Sequence, residues 1–374
     1  MRGKIRPSGG AKKHIVALSW RDAWHPEGGG SERWLLEVSE RLAEQHRVTV
    51  FTARYPGSAE RETINGVEYR RRGGRFSVFV HGALGLLTRR FGAVDAVLEV
   101  HNGMPFLARL FTRARVVVLV HHVHREQWPV AGQFARFGWF LESQVAPRVN
   151  RHLDYLTVSD VTRMELAELG VTPARVALAW NGTQEVPAGV AETTRTAYPS
   201  LVVLGRLVPH KQVEHAIRSV AALLPRFPDL QLRIVGSGWW EDELRAEIAR
   251  LNVDHAVTLV GHVDEDEKYQ ELARAWVHLL PSLKEGWGLS IIEAAQVATP
   301  SIAFASAGGV RDSILDGATG LLAGDDEQFT AFVDRLLSDH TLRAELGQKA
   351  QIRSAEFTWD ATRQVVQRTL LPGA

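Results

Sequence analysis

The sequence predicts an α/β protein built as two doubly wound domains in tandem, and three observations carry that expectation. Short β-branched apolar runs alternate with longer amphipathic stretches, the alternation restarts near residue 200, and an aperiodic stretch separates the two sets.

In the first half the strand candidates are HIVALS (14–19), RVTVFTA (47–53), VDAVLEV (94–100), RVVVLVH (115–121) and YLTVS (155–159). Between them lie stretches such as SERWLLEVSERLAEQH (31–46), where Leu35, Val38 and Leu42 recur at helical spacing. Continuous apolar strands interleaved with helices argue for a parallel sheet covered on both faces. The second set is SLVVLGR (200–206), LRIVG (232–236), AVTLVG (256–261), WVHLLP (276–281) and PSIAFA (300–305). Residues 182–199, rich in Pro, Gly, Thr and Ala without periodicity, read as the linker. A final helical stretch, FTWDATRQVVQRTLL (357–371), caps the second domain or crosses back to the first. The expected organisation is therefore a flexible tail (1–13), a first domain (14–185), a second domain (186–356) and a C-terminal helix (357–374). Ligands of such sheets bind beyond the carboxyl ends of the strands, so two facing domains would share one cleft.

The chain's 374 residues are enough for two domains that each bury a core. Apolar residues at 45% and charged residues at 23% give the balance of a soluble globular protein. Lys and Arg number 44 against 43 Asp and Glu, a net charge of +1, so no basic excess points to nucleic acid. The absence of cysteine removes disulfides, cysteine-based zinc sites and thiol catalysis, and fits a reducing compartment. The basic N-terminus is followed only by a strand-length apolar run, shorter than a secretory signal needs. No run of about 18 apolar residues occurs, so the expected address is the cytoplasm.

Three loops have the composition of phosphate cradles. Gly28 to Gly30 open the first helix, where glycine admits close approach and a helix start offers unpaired N–H groups. Taken alone, that stretch reads better as a flexible turn between strand and helix, and it matches neither a dinucleotide nor a P-loop pattern. After the first strand of the second half comes GRLVPHKQ, where Arg206 and Lys211 are placed to neutralise a diphosphate, Arg as a fork and Lys as a point charge. In PSLKEGWGLSIIEAAQVATP (281–300), Gly286 and Gly288 permit a tight turn into a helix whose first amides suit a phosphate. Glu285 precedes that turn and Glu293 lies inside the helix, roughly 12 Å apart were the segment helical throughout. Carboxylates accept from vicinal hydroxyls and repel phosphate, so the layout suits ribose, diphosphate and sugar in sequence.

With those residues in place, the chain resembles the GT-B retaining glycosyltransferases, specifically glycosyltransferase family 4, over nearly its whole length. The segments that carry the likeness are GGGSERWLLEVSERLAEQHRVTVFT, GRLVPHK, RIVGSG and the run from VTLVGHVDEDE through LKEGWGLSIIEAAQ to AGGVRDSILDGATGLLAGD. The resemblance implies two Rossmann-like domains facing across a cleft, the first binding the acceptor and the second the nucleotide-sugar donor. It implies that Glu285 holds hydroxyls of the donor sugar and Glu293 the ribose, and that Arg206 and Lys211 bind the diphosphate as it leaves. Backbone groups of Trp287, Gly288 and Leu289 would meet phosphate and sugar, Val263 would sit at the base, and Gly30 would approach the phosphate from the first domain. A histidine at the end of the fourth strand would reach the donor sugar; His121 matches best, with His122 and His124 close by. The family usually has glycine directly after the lysine, where this chain has Gln212, which puts the local backbone shape in doubt. No bound metal or other cofactor is implied.

The implied activity is retaining transfer of a hexose-type sugar from a nucleotide-diphosphate sugar to a hydroxyl acceptor, which is a glycan, a lipid-linked species or a small molecule. With no second carboxylate placed as a nucleophile, a front-face substitution is expected. Nucleotide-sugar 2-epimerases and sugar phosphorylases share the fold and are the alternative enzymes, and a non-catalytic nucleotide-sugar binder is the alternative outside enzymology. The segments at 74–94 and 134–153 combine Phe, Trp and Leu with Arg, as would a peripheral contact with the inner face of a membrane, an acceptor pocket or a core-facing helix.

Overall fold

A computed structural model describes residues 12–125, 128 and 135–373. Residues 1–11 of the expected tail and residue 134 of the second aromatic segment lie outside the described residues. The chain forms two compact units, one of residues 1–158, 162–180 and 359–374, the other of residues 159–161 and 181–358.

The first unit is built on eight strands: β1 (His14–Leu18), β2 (Arg47–Thr52), β3 (Arg61–Ile64), β4 (Val67–Arg71), β5 (Ala96–Val100), β6 (Arg115–Val120), β7 (Asp154–Thr157) and β8 (Val176–Leu178). Their order across the sheet is β3-β4-β2-β1-β5-β6-β7-β8, parallel throughout except for the antiparallel β3–β4 pair. That pair is a two-residue hairpin closed at Asn65-Gly66, both at positive φ (47° and 82°), the backbone that a type I′ turn requires. The central strands are apolar on both faces because helices cover both; Val16, Leu18, Val97, Val117 and Leu119 are all buried. The helix Gly30–Ala43 buries Trp34, Leu35, Val38 and Leu42, and the last helix, Trp359–Leu370, packs against it. That last helix buries Trp359, Val366 and Leu370, and Thr362 Oγ1 donates to the Trp180 carbonyl at 2.6 Å.

The second unit has six parallel strands: β9 (Ser200–Leu204), β10 (Gln231–Val235), β11 (Val257–Gly261), β12 (Val277–Leu280), β13 (Ser301–Phe304) and β14 (Gly320–Ala323), ordered β11-β10-β9-β12-β13-β14. The order reverses between β9 and β12, which makes the crevice beyond their carboxyl ends the natural ligand position. Its core joins Leu201, Val203, Ile217, Ile234, Leu279, Ile302 and Phe329.

The expected linker is folded into this unit. Val190 packs with Tyr269 and Leu272, and Arg195 donates to the carbonyls of Ala275, Val297 and Ala298. Residues 182–199 lack periodicity because hydrogen bonds to other segments, not a repeating apolar face, hold them.

Candidate functional site

In the second unit, the loop after β9 and the loop after β12 are tied together at the reversal of strand order. Leu283 N donates to the His210 carbonyl at 2.9 Å. Gly205, at φ 157°, ends β9 against the loop that follows β10. A Cβ on Gly236 would lie 1.9 Å from the Gly205 carbonyl oxygen, so that approach needs glycine. Arg206 follows, exposed, and Lys211 ends the short helical turn Pro209–Lys211. Gln212 then adopts the left-handed region (φ 47°, ψ 41°), so the conformation that favours glycine is retained by glutamine.

Lys211 Nζ donates to Glu285 Oε1 at 2.5 Å, with the side chains 20% and 12% exposed. Among the described residues, Glu285 Oε2 accepts no hydrogen bond. The Glu285 backbone is clamped on both sides: its N–H donates to the Ala307 carbonyl (2.7 Å) and its carbonyl accepts from Gly309 N (3.0 Å). Gly309 allows this clamp, since a Cβ there would sit 2.0 Å from the Gly286 oxygen. The AGG sequence at 307–309 is thus the backbone frame of Glu285, a role not apparent from the sequence.

Gly288, at φ 83°, caps the helix Leu289–Gln296. The amides that open this helix have no intrahelical partner and carry the positive end of its dipole. The Trp287 ring is buried edge-on against Phe357 (5.0 Å) and its carbonyl accepts from Ser313 Oγ at 2.9 Å. Leu289 is half-buried at the first turn, and Glu293 lies one turn further on. Val263 sits between β11 and the helix Glu265–Arg274, partly buried against Val235 and Tyr269.

The structure adds one charged residue that the sequence did not single out. Lys268, on the helix Glu265–Arg274, places Nζ 2.8 Å from Glu293 Oε1 and 2.7 Å from Glu265 Oε2. Burial works against the Lys268 charge, but the carboxylates of Glu293 and Glu265 outweigh it and raise its pKa above the ordinary lysine value. Each candidate hydroxyl-binding glutamate therefore has one oxygen engaged by a lysine. In the sequence, nothing in DEDEKYQEL sets Lys268 apart from the charges around it. Only the packing of the two helices brings Lys268 to Glu293.

Gly30 and His121 belong to the first unit. Gly30 is the first residue of its helix, and the preceding Gly29 amide is taken by Glu32 Oε2 at 2.7 Å. His121 directly follows β6, with its ring edge-on to Trp34 (5.7 Å). Burial, aided by the nearby His124, pushes the His121 pKa down to about 3, so the imidazole is neutral. Its Nε2 is buried and has no hydrogen-bond partner among the described residues. His124 Nδ1 is instead engaged by Glu142 at 2.9 Å. His122 lies against it, ring centroids 4.3 Å apart.

Comparison with known proteins agrees with this organisation unit by unit. Residues 28–184 match the family described as Glycosyltransferase Family 4, and residues 191–353 match Glycosyl transferases group 1. The chain belongs to glycosyltransferase family 4. Among curated relatives, this family 4 chain is 33% identical over 213 residues to an exopolysaccharide phosphotransferase of Streptomyces coelicolor, covering 56% of this chain and 22% of that protein. It is 31% identical over 250 residues to the D-inositol 3-phosphate glycosyltransferase of Kineococcus radiotolerans, covering 59% of this chain and 57% of the relative. In both cases the matched stretch is less than two thirds of the relative's length. Among solved structures, sucrose-phosphate synthase of Thermosynechococcus elongatus superposes with a TM-score of 0.78 at 20% identity, over 96% of this chain and 98% of that one. HepE of Anabaena in complex with UDP-glucose gives 0.73 at 15% identity, over 95% and 98%. At those identities the likeness shows the fold, which is GT-B.

Proposed function

We propose that this chain is a retaining glycosyltransferase that moves a hexose from a nucleoside diphosphate sugar to a hydroxyl acceptor. The observation that carries the reading is the grouping of Lys211, Glu285, the Gly288 helix start and Glu293 beside the reversal of strand order. The UDP-glucose bound by the structural relative HepE is a ligand of this class.

Arg206, Lys211 and the amides after Gly288 stabilise the departing diphosphate. The bond from the anomeric carbon to the phosphate oxygen breaks while the acceptor oxygen bonds to that carbon on the same face, and the acceptor proton passes to the leaving oxygen. Glu285 accepts from sugar hydroxyls through its unengaged oxygen, and Glu293 does the same for the ribose. In the first unit, neutral His121 offers Nε2 to a hydroxyl, and the Gly30 amide is a phosphate donor. Trp287 and Leu289 supply backbone contacts, and Val263 packs at the base. These cations supply the charge neutralisation that a metal would otherwise give, so turnover is expected to survive EDTA. A thermal-shift panel of UDP-, GDP-, ADP- and dTDP-sugars tests the donor assignment. A chain stabilised by none of them does not do this chemistry.

The acceptor is proposed to lie at an anionic bilayer. Phe76, Val80, Leu84 and Leu87, 44–62% exposed, line up at helical spacing on and just before the helix Ser77–Leu87. Arg75 lies over the Phe76 ring, Arg89, Arg109 and Arg113 line a cavity together with Leu87, and no acidic residue occurs from 69 to 94 or from 100 to 125. Among the described residues, no helix is long and apolar enough to cross a membrane. Co-sedimentation with phosphatidylglycerol vesicles, reduced by high salt and by Leu84→Glu, is the expected result. No sedimentation at low salt ends this part of the proposal.

A further inference from the structure

At the amino ends of β9, β12 and β13, the opposite edge of the second sheet from the donor loops, there is a cavity of about 180 Å³. Its lining includes Arg195, Trp276, Ala298, His340, Arg343 and Ala344, and among the described residues no carboxylate.

Its two guanidinium groups are held together without an acid. Arg195 donates only to neutral acceptors: the carbonyls of Ala275, Val297 (3.3 Å) and Ala298 (2.6 Å) and Thr299 Oγ1 (3.1 Å). Arg343 is 7% exposed, stacks 4.0 Å from the Trp276 ring centroid, and uses Nη1 to reach the Leu336 and Leu337 carbonyls. Its Nε and Nη2 donate to no described residue. Burial lowers the pKa of both, and Arg343 itself lowers that of Arg195 further; Asp339, which offsets part of this for Arg343, is engaged as the helix cap on Leu342 N at 2.9 Å. Capping of helix ends accounts for the bonds of Arg195. It does not account for the remaining donors of the buried Arg343, nor for a second guanidinium kept beside the same open volume.

The backbone at the cavity is also strained. Ala298 has φ 56°, a left-handed conformation that costs a non-glycine residue about 1–2 kcal/mol. It is held there by Arg195 at its oxygen and by the close packing of Gly347, where a Cβ would fall 2.2 Å from that same oxygen.

We propose that this cavity binds a small phosphoryl anion, with the free fork of Arg343 as its principal donor and Arg195 as the supporting charge. A guanidinium fork matches two phosphate oxygens. The volume holds about six waters' worth of ligand, enough for a phosphate with a short substituent and too little for a nucleotide sugar. The cavity adjoins the C-terminal end of the helix Leu289–Gln296, and Arg195 already holds the carbonyls of Val297 and Ala298 just past it, so an anion here acts on the element that bears Glu293.

The test is calorimetric titration of the full chain with inorganic phosphate and with glycerol 3-phosphate, at constant ionic strength set by chloride. Binding is expected to persist in an Arg206→Ala/Lys211→Ala variant, which separates it from the donor site. It should weaken at least tenfold in Arg343→Met, which keeps the stacking bulk, and in Ala344→Glu, at an exposed position that tolerates the change and brings in an acid. Tighter binding of the ester than of phosphate assigns the site to phosphorylated metabolites; equal binding assigns it to phosphate itself. No saturable binding by the wild-type chain, binding indifferent to both cavity variants, or binding lost in the Arg206/Lys211 variant overturns the proposal.

Discussion

Lys211 and Glu285, 74 residues apart in sequence, form an ion pair at 2.5 Å that joins the loop after β9 to the loop after β12. The pair means that a cation assigned to the diphosphate and a carboxylate assigned to the sugar position one another. Lys211→Ala and Arg206→Ala should each lower kcat by about 10²–10³, the size typical of removing one preorganised charge stabiliser. Lys211→Ala and Glu285→Ala should also be non-additive by about 1–3 kcal/mol in a double-mutant cycle. Purely additive losses would show that the pair does not act as a unit.

Lys268 Nζ lies 2.8 Å from Glu293 Oε1, which makes it a positioning residue of the proposed site. Lys268→Met is expected to raise the donor KM about tenfold, or ~1.4 kcal/mol, and to leave kcat nearly unchanged. Steady-state kinetics with the donor varied will separate the two constants. An equal fall in both would move Lys268 into the transition-state machinery.

His121 should remain a neutral hydrogen-bonding group throughout the working range. Because its pKa in the fold is about 3, below that of the unfolded chain, its contribution to stability is present above about pH 6.5 and declines as pH falls from there toward 3. Histidine-labelled NMR at pH 5.5 should show the His121 ring neutral. A protonated ring at that pH would contradict the burial seen here.

Glu68 makes the first unit acid-sensitive. Burial opposes its ionisation, yet hydrogen bonds from Arg70, Arg47 and Thr49 prevail and hold its pKa at about 2. The depressed value stabilises the fold by roughly 2–3 kcal/mol above about pH 4.5, and this is lost as pH falls toward 2. Urea unfolding of Glu68→Gln should show a shallower loss of stability over that window than wild type.

Gln212 holds a left-handed backbone that glycine would adopt without strain. The relief of about 1–2 kcal/mol on Gln212→Gly is offset by about 0.4–1 kcal/mol of added freedom in the unfolded chain, so stability should be unchanged or slightly higher. Gln212→Val, β-branched, should destabilise by more than about 1 kcal/mol. Thermal melts of both variants make the comparison.

The doubly wound fold was legible because β1, β5, β6 and β9 are buried on both faces and so appear as unbroken apolar runs. The β3–β4 hairpin did not appear that way, since RETI and VEYRR break up their few apolar residues with charged ones. Its signal was the Asn65-Gly66 turn. Strands of three or four residues such as β8 and β14 are too short to show a period. At the site, Glu285, Gly288 and Glu293 fall within one short motif and could be found together. Lys268 and the Gly308-Gly309 frame reach them only through packing. Arg195 and Arg343 were hidden for the same reason, one in an aperiodic stretch and the other on a helix with a weak apolar face.

The helix Trp359–Leu370 belongs to the unit that opens the chain, lying against the helix Gly30–Ala43. During translation, the body begun first is therefore the one finished last, after every strand of its neighbour has left the ribosome. Until that helix emerges, the side of the helix Gly30–Ala43 that it will cover stays open to water.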